Sequence, residues 1–246
     1  MGNLFTLVSR EIRSLVVSPI LWVVLVMFLL FNGVSFWELL VFLSQPMAPE
    51  GAPMQVFFGK WMIFWLAVLT MSSIIPMGTL ASEVRNGTIE TLMTAPVTEW
   101  QVVLAKFFAS WLFYGALWAP TLVYVGLLMR YSDPDLGPIF SGYLGTLLLG
   151  SCFLSIGVLM SAVTRNQIVA AVLSFGCYGC LFLLSLLAYL PSQGGNMDVV
   201  NYLNLWEHMD NWGRGVVDTR HLTYYGTVTV FALFCSVRVL ESRRWR

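Results

Sequence analysis

The interval SEVRNGTIETLMTAPVTEWQVVLAKF, Ser82 to Phe107, places Glu83, Arg85, Glu90 and Glu99 between two long apolar stretches. Charges so close together suit ion pairing and hydrogen bonding with a partner surface. Asn86-Gly87 marks a turn. Thr88 can cap a short helix, Ile89 to Met93, with Glu90 in the first turn, where a carboxylate is favoured. Pro96 ends that helix, and Thr98 with Gln101 makes a capping-box pattern that opens the next one. The spacing therefore predicts a helix of one to two turns over about 88–95, held by turns on both sides. It is either a capped connector or a docking element that passes a push into the helices beside it. Asn86-Gly87-Thr88 is also a glycosylation sequon, without consequence on a cytoplasmic loop.

Other chemistry is sparse. No phosphate-binding G-x-x-x-x-G-K-[ST] loop occurs, and FGKW at 58–61 is a lone Gly-Lys. The two histidines are His208 and His221. EHMD at 207–210 has metal-binding residue types, but adjacent Glu207 and His208 point to different helix faces, and zinc needs three or four convergent ligands. Cys177 and Cys180 have the C-x-x-C spacing without a thioredoxin-like context. With Cys152 and Cys235 they read as small, polarisable packing residues. Glu38, Lys60 and Lys106 lie near the ends of apolar segments, where long side chains reach the interface. Glu38 and Lys60 either pair or simply snorkel, with Trp37 and Trp61 as an aromatic belt. The polar residues inside the segments, Asn32, Ser72, Ser73, Ser110, Thr121 and Ser155, are uncharged. Scattered hydroxyls replace an ion's water shell poorly, so no continuous ion pathway is expected. The chain is expected to be no enzyme and to hold no metal or cofactor.

The elements that carry these residues are apolar. Of 246 residues 58% are hydrophobic and 11% charged, against about 25% charged in soluble domains. With ten Trp and seventeen Phe, no soluble core could bury so much apolar surface. An all-α polytopic membrane protein is the economical reading, and a net charge of zero points to no nucleic-acid partner. Six segments match the ~20 residues a bilayer-crossing helix needs: roughly 20–42, 57–81, 100–128, 139–163, 167–190 and 222–240. The first is too long for a signal-peptide core. Arg10, Arg13, Arg85, Lys106, Arg165, Arg238, Arg243, Arg244 and Arg246 fall on one side. Lys60, Arg130, Arg214 and Arg220 fall on the other with most of the acids, so both termini are expected in the cytoplasm.

Residues 1–18 form an amphipathic, interfacial elbow helix. Phe5, Val8, Ile12 and Leu15 share a face that Glu11 spoils at its edge, and Ser18-Pro19 should bend the chain. Residues 19–246 form the six-span domain. The last outer loop, about 192–221, repeats Leu205, Met209, Trp212 and Val216 at helical spacing beside Asn204, Glu207, Asp210 and Asn211. This predicts a short helix resting on the outer face or dipping into it. Trp206 and Trp212 there offer a docking surface, or anchor the helix at the interface. Gly115 and Ala119, Ser151 and Ser155, and Gly157 and Ser161 are small pairs that let helices approach closely.

EVRNGTIETLMTAPVTEWQVVLAKF resembles the cytoplasmic signature of ABC-2 type permeases, E-x-R-x-G-T-x-E-x-L-x-x-x-P-V followed by G-K or A-K. REIRSLVVSPILWVVLVMFLLFNG at 10–33, and WGRGVVDTRHLTYY at 212–225 with the terminal RRW, are similar to the gliding-motility (GldF) and NosY-type subgroup. The resemblance implies a type V exporter-like permease fold, with 88–95 as a coupling helix against a separate ATPase that binds ATP and Mg. It assigns Glu83, Arg85, Gly87, Thr88, Glu90, Leu92 and Pro96 to coupling. Trp206, Asp210, Trp212, Gly215 and Asp218 fall to the outer segment and an accessory partner on the periplasmic side. Ala105 stands where many members have Gly. The implied assembly is two permease chains, identical or related, with two ATPase subunits in a bacterial inner membrane. Export or mechanical transmission would follow. A secondary transporter or channel working without ATP should instead show broken spans or midplane charges. An intramembrane enzyme lacks its catalytic set.

Overall fold

The computed structural model describes residues 2–44, 55–88, 97–131, 134–187 and 202–244. Every regular element among them is helical. Helices α1 (Gly2–Val17) and α2 (Pro19–Leu43) meet at Ser18, whose backbone is extended at φ −71°, ψ 120°. Pro19 forces that bend, since it disfavours helix at the residue before it and suits the first helical position. A kinked turn, Val56–Lys60, leads to α3 (Met62–Ile74), and turns over 75–80 lead to α4 (Ala81–Asn86). Then come α5 (Glu99–Trp118) and α6 (Leu122–Tyr131), joined by a tighter turn at Ala119–Thr121 that contains Pro120. Next are α7 (Leu136–Val163), α8 (Gln167–Leu187), α9 (Leu205–Gly213) and α10 (Thr219–Arg244).

Five stretches are long and apolar enough to cross a membrane: Pro19–Leu43, Glu99–Tyr131, Leu136–Val163, Gln167–Leu186 and Thr219–Ser242. The second predicted span, 57–81, is not one helix. Its helical part, α3, has 13 residues, about 20 Å against a hydrocarbon core of about 30 Å. Pro76 lacks an N–H to continue the ladder, and the apolar run had concealed the interruption. The helix is therefore interrupted at 75–80, where the sequence showed no break clearly.

The centre of the bundle is α7, which touches α3, α5, α8, α9 and α10. Its small residues let large side chains reach its backbone. Gly142 meets Phe58, Gly145 meets Trp212, Gly150 meets Tyr114, and Gly157 meets Pro76 and Tyr178. A methyl group on Gly145 would lie 2.6 Å from the Trp212 ring. The predicted Gly157 and Ser161 pair thus marks a close approach. Ser155 bonds its own helix, to Cys152 O at 2.7 Å.

Candidate functional site

The charged interval begins at the break after α3. Leu80 N and Ala81 N both donate to Ser161 Oγ at 3.0 Å, while the Ser161 hydroxyl donates to Met77 O at 3.0 Å. One side chain of α7 thereby satisfies the backbone that Pro76 disrupts. Thr79 Oγ1 donates to Pro76 O at 2.8 Å, and Ser82 Oγ to Gly78 O. At its other end α4 stops at Gly87, in the left-handed region at φ 70°. A Cβ there would touch nothing within 4 Å, so the backbone conformation alone calls for glycine. Arg85, Gly87 and Thr88 are exposed. The predicted helix Ile89–Met93, with Glu90, Leu92 and Pro96, lies outside the described residues. Beyond it the capping box forms. Gln101 N donates to Thr98 Oγ1 at 3.4 Å, and Thr98 N donates to Gln101 Oε1 at 3.2 Å.

Beneath the exposed turn lies an ion triad. Lys106 of α5 donates from Nζ to Glu83 Oε1 of α4 at 2.8 Å and sits 3.3 Å from Glu11 Oε2 of α1. Its side chain is 2% exposed, so it does not snorkel as expected. A buried ammonium is tolerated because two carboxylates surround it. Glu11, at the edge of the apolar face of α1, completes the triad and also pairs with Arg10 at 2.8 Å. A cavity of about 660 Å³ opens beside it, lined among others by Arg10, Ser14, Ser18, Met77, Thr79 and Gln167. The triad ties α1, remote in sequence, to the consecutive elements α4 and α5.

At the other end of α7, about 30 Å from Ser161 if the helix is followed from Ser141, α9 enters the bundle. Asn204 caps it, its Oδ1 accepting from Trp206 N at 3.2 Å and Glu207 N at 3.3 Å. Leu205, His208, Met209 and Trp212 are buried, while Glu207 is exposed. Leu205, Met209 and Trp212 share the predicted face, joined by His208, whereas Val216 lies beyond the helix and is exposed; the face turns into the bundle. Trp212 is fully buried and cannot serve as a docking surface. Its carbonyl accepts from Ser141 Oγ at 2.6 Å. Trp206 is half-buried and stacks on Trp65, ring centroids 5.9 Å apart. Asp210 accepts from Gln55 Nε2 at 2.6 Å and pairs with Arg214 at 2.8 Å. Gly215 turns the chain at φ 86° against Pro138, and Asp218 accepts from Arg220 N at 2.8 Å. The residues expected on the outer side are thus seated in the fold, with only part of Trp206, Asp210, Gly215 and Asp218 open. His208 and His221, given no role by the sequence, stack with centroids 3.9 Å apart. Their contact joins positions on two helices, which spacing along one helix cannot reveal. Among the described residues no three His, Cys, Asp or Glu side chains converge as for a metal.

A family model for ABC-2 family transporter proteins matches residues 5–237, from α1 to α10. The chain belongs to the ABC-2 transporter family. No curated protein matches it. Membership and the long apolar helices together make this a multi-pass membrane protein. In ABC transporters such ABC-2 permeases usually work with an ATPase partner. In this ABC-2 chain the polar residues inside the helices are largely occupied by local bonds. Asn32 Nδ2 donates to Phe28 O at 2.9 Å, Ser73 to Leu69 O at 2.7 Å and Thr121 to Trp118 O at 2.6 Å. Ser72 and Ser110 hydroxyls are buried without a partner among the described residues. Isolated hydroxyls of this kind do not make a polar path.

Proposed function

We propose that this chain is the permease subunit of an ABC transporter and that residues 82–98 couple it to a separate cytoplasmic ATPase. The observation that carries the reading is the buried Glu11–Lys106–Glu83 triad under an exposed turn. A partner pressing on Arg85, Gly87, Thr88 and the segment through Glu90, Leu92 and Pro96 would displace α4. Glu83 then pulls on Lys106, and through it on α5 and the elbow together. Ser161, bonded to the first residues of α4, hands the same displacement to α7, which reaches the far end of the bundle. Two permease chains with two ATPase subunits would make the working assembly. ATP and Mg reside in the ATPase, and this chain does no chemistry itself. The charge bias supports α4 and both termini in the cytoplasm with α9 outside, and the resemblance favours a bacterial inner membrane, crossed six times with α3 as the short span. The resemblance at 10–33 and 212–225 favours the gliding-motility and NosY-type subgroup. A lipid-like cargo, or motion passed to an outer accessory protein at Trp206 and Asp210, fits the apolar interior.

A second reading, transport without ATP, is favoured by the break at 75–80, because Met77, Gly78 and Thr79 line the charged cavity. The two differ in one test. Glu90→Lys should detach or uncouple the ATPase while membrane abundance stays near normal. Transport-coupled ATPase activity that survives this change would place docking elsewhere.

A further inference from the structure

The α9 end of the bundle holds a cluster that coupling leaves unused. His208 and His221 stack at a 31° tilt, one from α9 and one from α10. Tyr224 and Tyr225 stand 5.5 and 5.6 Å from the His208 ring, and Trp212 stands 6.4 Å from His221. His208 is 2% exposed and His221 7%. Four polar atoms here, Nδ1 of both histidines, the Tyr225 hydroxyl and Trp212 Nε1, are buried with no partner among the described residues. Buried orphans are destabilising and call for an explanation wherever they gather. A shared metal does not supply it. Stacked rings aim their nitrogens side by side and not at one point, and no third ligand joins them among the described residues.

The ionisable surroundings are few. Tyr202 offers its backbone carbonyl to His208, and Asp218 and Arg220 flank the pair at the start of α10. The Cys152 thiol faces Tyr224 and Tyr225 from α7. Asp210 and Arg214 pair with each other, and Asp210 also binds Gln55 beside the kinked turn. From α8 comes Ser185, which accepts from Leu205 N at 2.9 Å. Among the described residues Asp218 is the carboxylate placed to favour an imidazolium, and it already accepts from Arg220 N. A proton arriving on the stack would find mostly apolar and aromatic walls.

We propose that the His208–His221 stack is a proton-sensitive latch, seating α9 in the bundle while both rings are neutral and releasing it when either takes up a proton. Release would break three bonds: Ser141 to Trp212 O, Gln55 to Asp210, and Leu205 N to Ser185. Burial, and then the neighbouring His221, hold His208 down at about 3 while α9 is seated. Once α9 leaves, His208 returns towards the ordinary value of ~6.5. The released form therefore binds the proton more tightly. Seating is at full strength above about pH 6.5 and is lost progressively as pH falls towards 3, by roughly tenfold in the seated-to-released ratio per pH unit for one histidine. The site does not depend on the ATPase reading, and on the proposed topology it senses acidity outside.

The test is hydrogen exchange on the full chain in lipid nanodiscs between pH 7.5 and 4.5, corrected for intrinsic amide rates. Peptides covering 205–213 should keep constant protection above pH 6.5 and lose about tenfold per unit below it, while peptides from the middle of α7 stay unchanged. His208→Phe with His221→Phe should keep protection at pH 7.5 and flatten the slope. His208→Gln, neutral at every pH, should reduce it. Flat protection in the unmodified chain would overturn the latch, as would an equal slope in the double variant or an equal loss throughout the chain.

Discussion

Glu11 and Glu83 hold the Lys106 ammonium between them on the wall of the cavity, with the lysine side chain itself buried. Removing the cation alone leaves two carboxylates facing each other without a counter-charge. Breaking a buried ion pair in this way costs about 3–5 kcal/mol. Lys106→Met should therefore lower the thermal midpoint of the detergent-purified chain clearly. Adding Glu83→Gln and Glu11→Gln to it should recover most of the loss, because neutral partners no longer need a counter-charge. An unchanged midpoint for Lys106→Met would show that the triad contributes nothing to the fold. This environment was not legible in the sequence. Lys106 looked like an interfacial side chain and Glu11 like a flaw, because their pairing joins residues about 95 positions apart and no local spacing encodes it. Glu83 stands out in the sequence as part of a charged interval, but its inward partner Lys106 does not.

The elements divide by whether their determinants are local. The bend at Ser18-Pro19, the left-handed turn at Gly87 and the Thr98–Gln101 capping box depend on residues within three or four positions, and all three form. The break between α3 and α4 was missed, since hydropathy over 57–81 is continuous and does not report where backbone groups find partners. Ser161, from another helix, is what makes the break tolerable. Ser161→Ala leaves the Leu80 and Ala81 amides buried without an acceptor, a loss of about 1–3 kcal/mol for each unsatisfied group. Exchange protection over 77–84 should fall at least tenfold, with the middle of α7 unaffected. Equal protection in both proteins would remove Ser161 from the hinge. At Gly87 a β-branched residue must adopt a positive φ, costing about 1–2 kcal/mol. Gly87→Val should cut ATPase-coupled activity with normal membrane abundance, and Gly87→Asn, which tolerates that conformation, should restore much of it.

At the scale of the molecule, α7 ties two polar networks at its opposite ends into one body, Ser161 with α4 at one and Ser141 with α9 at the other. Helical class and membrane residence were plain from composition. The inward turn of α9 was not, because an amphipathic pattern looks the same whether its apolar face meets lipid or protein. Thr88 and Glu207 are exposed at these two ends. Single cysteines placed there in a cysteine-free background should react with an impermeant reagent from opposite sides of the membrane. Labelling of both from one side would contradict the topology. The coupling claim itself is tested most directly by purifying the chain from its native membrane in mild detergent and assaying ATP hydrolysis. An ATP-hydrolysing subunit is expected to accompany the unmodified chain and to be lost from Glu90→Lys at equal chain yield. Absence of such a subunit from both, together with solute movement down an ion gradient by the chain alone in vesicles, would contradict it.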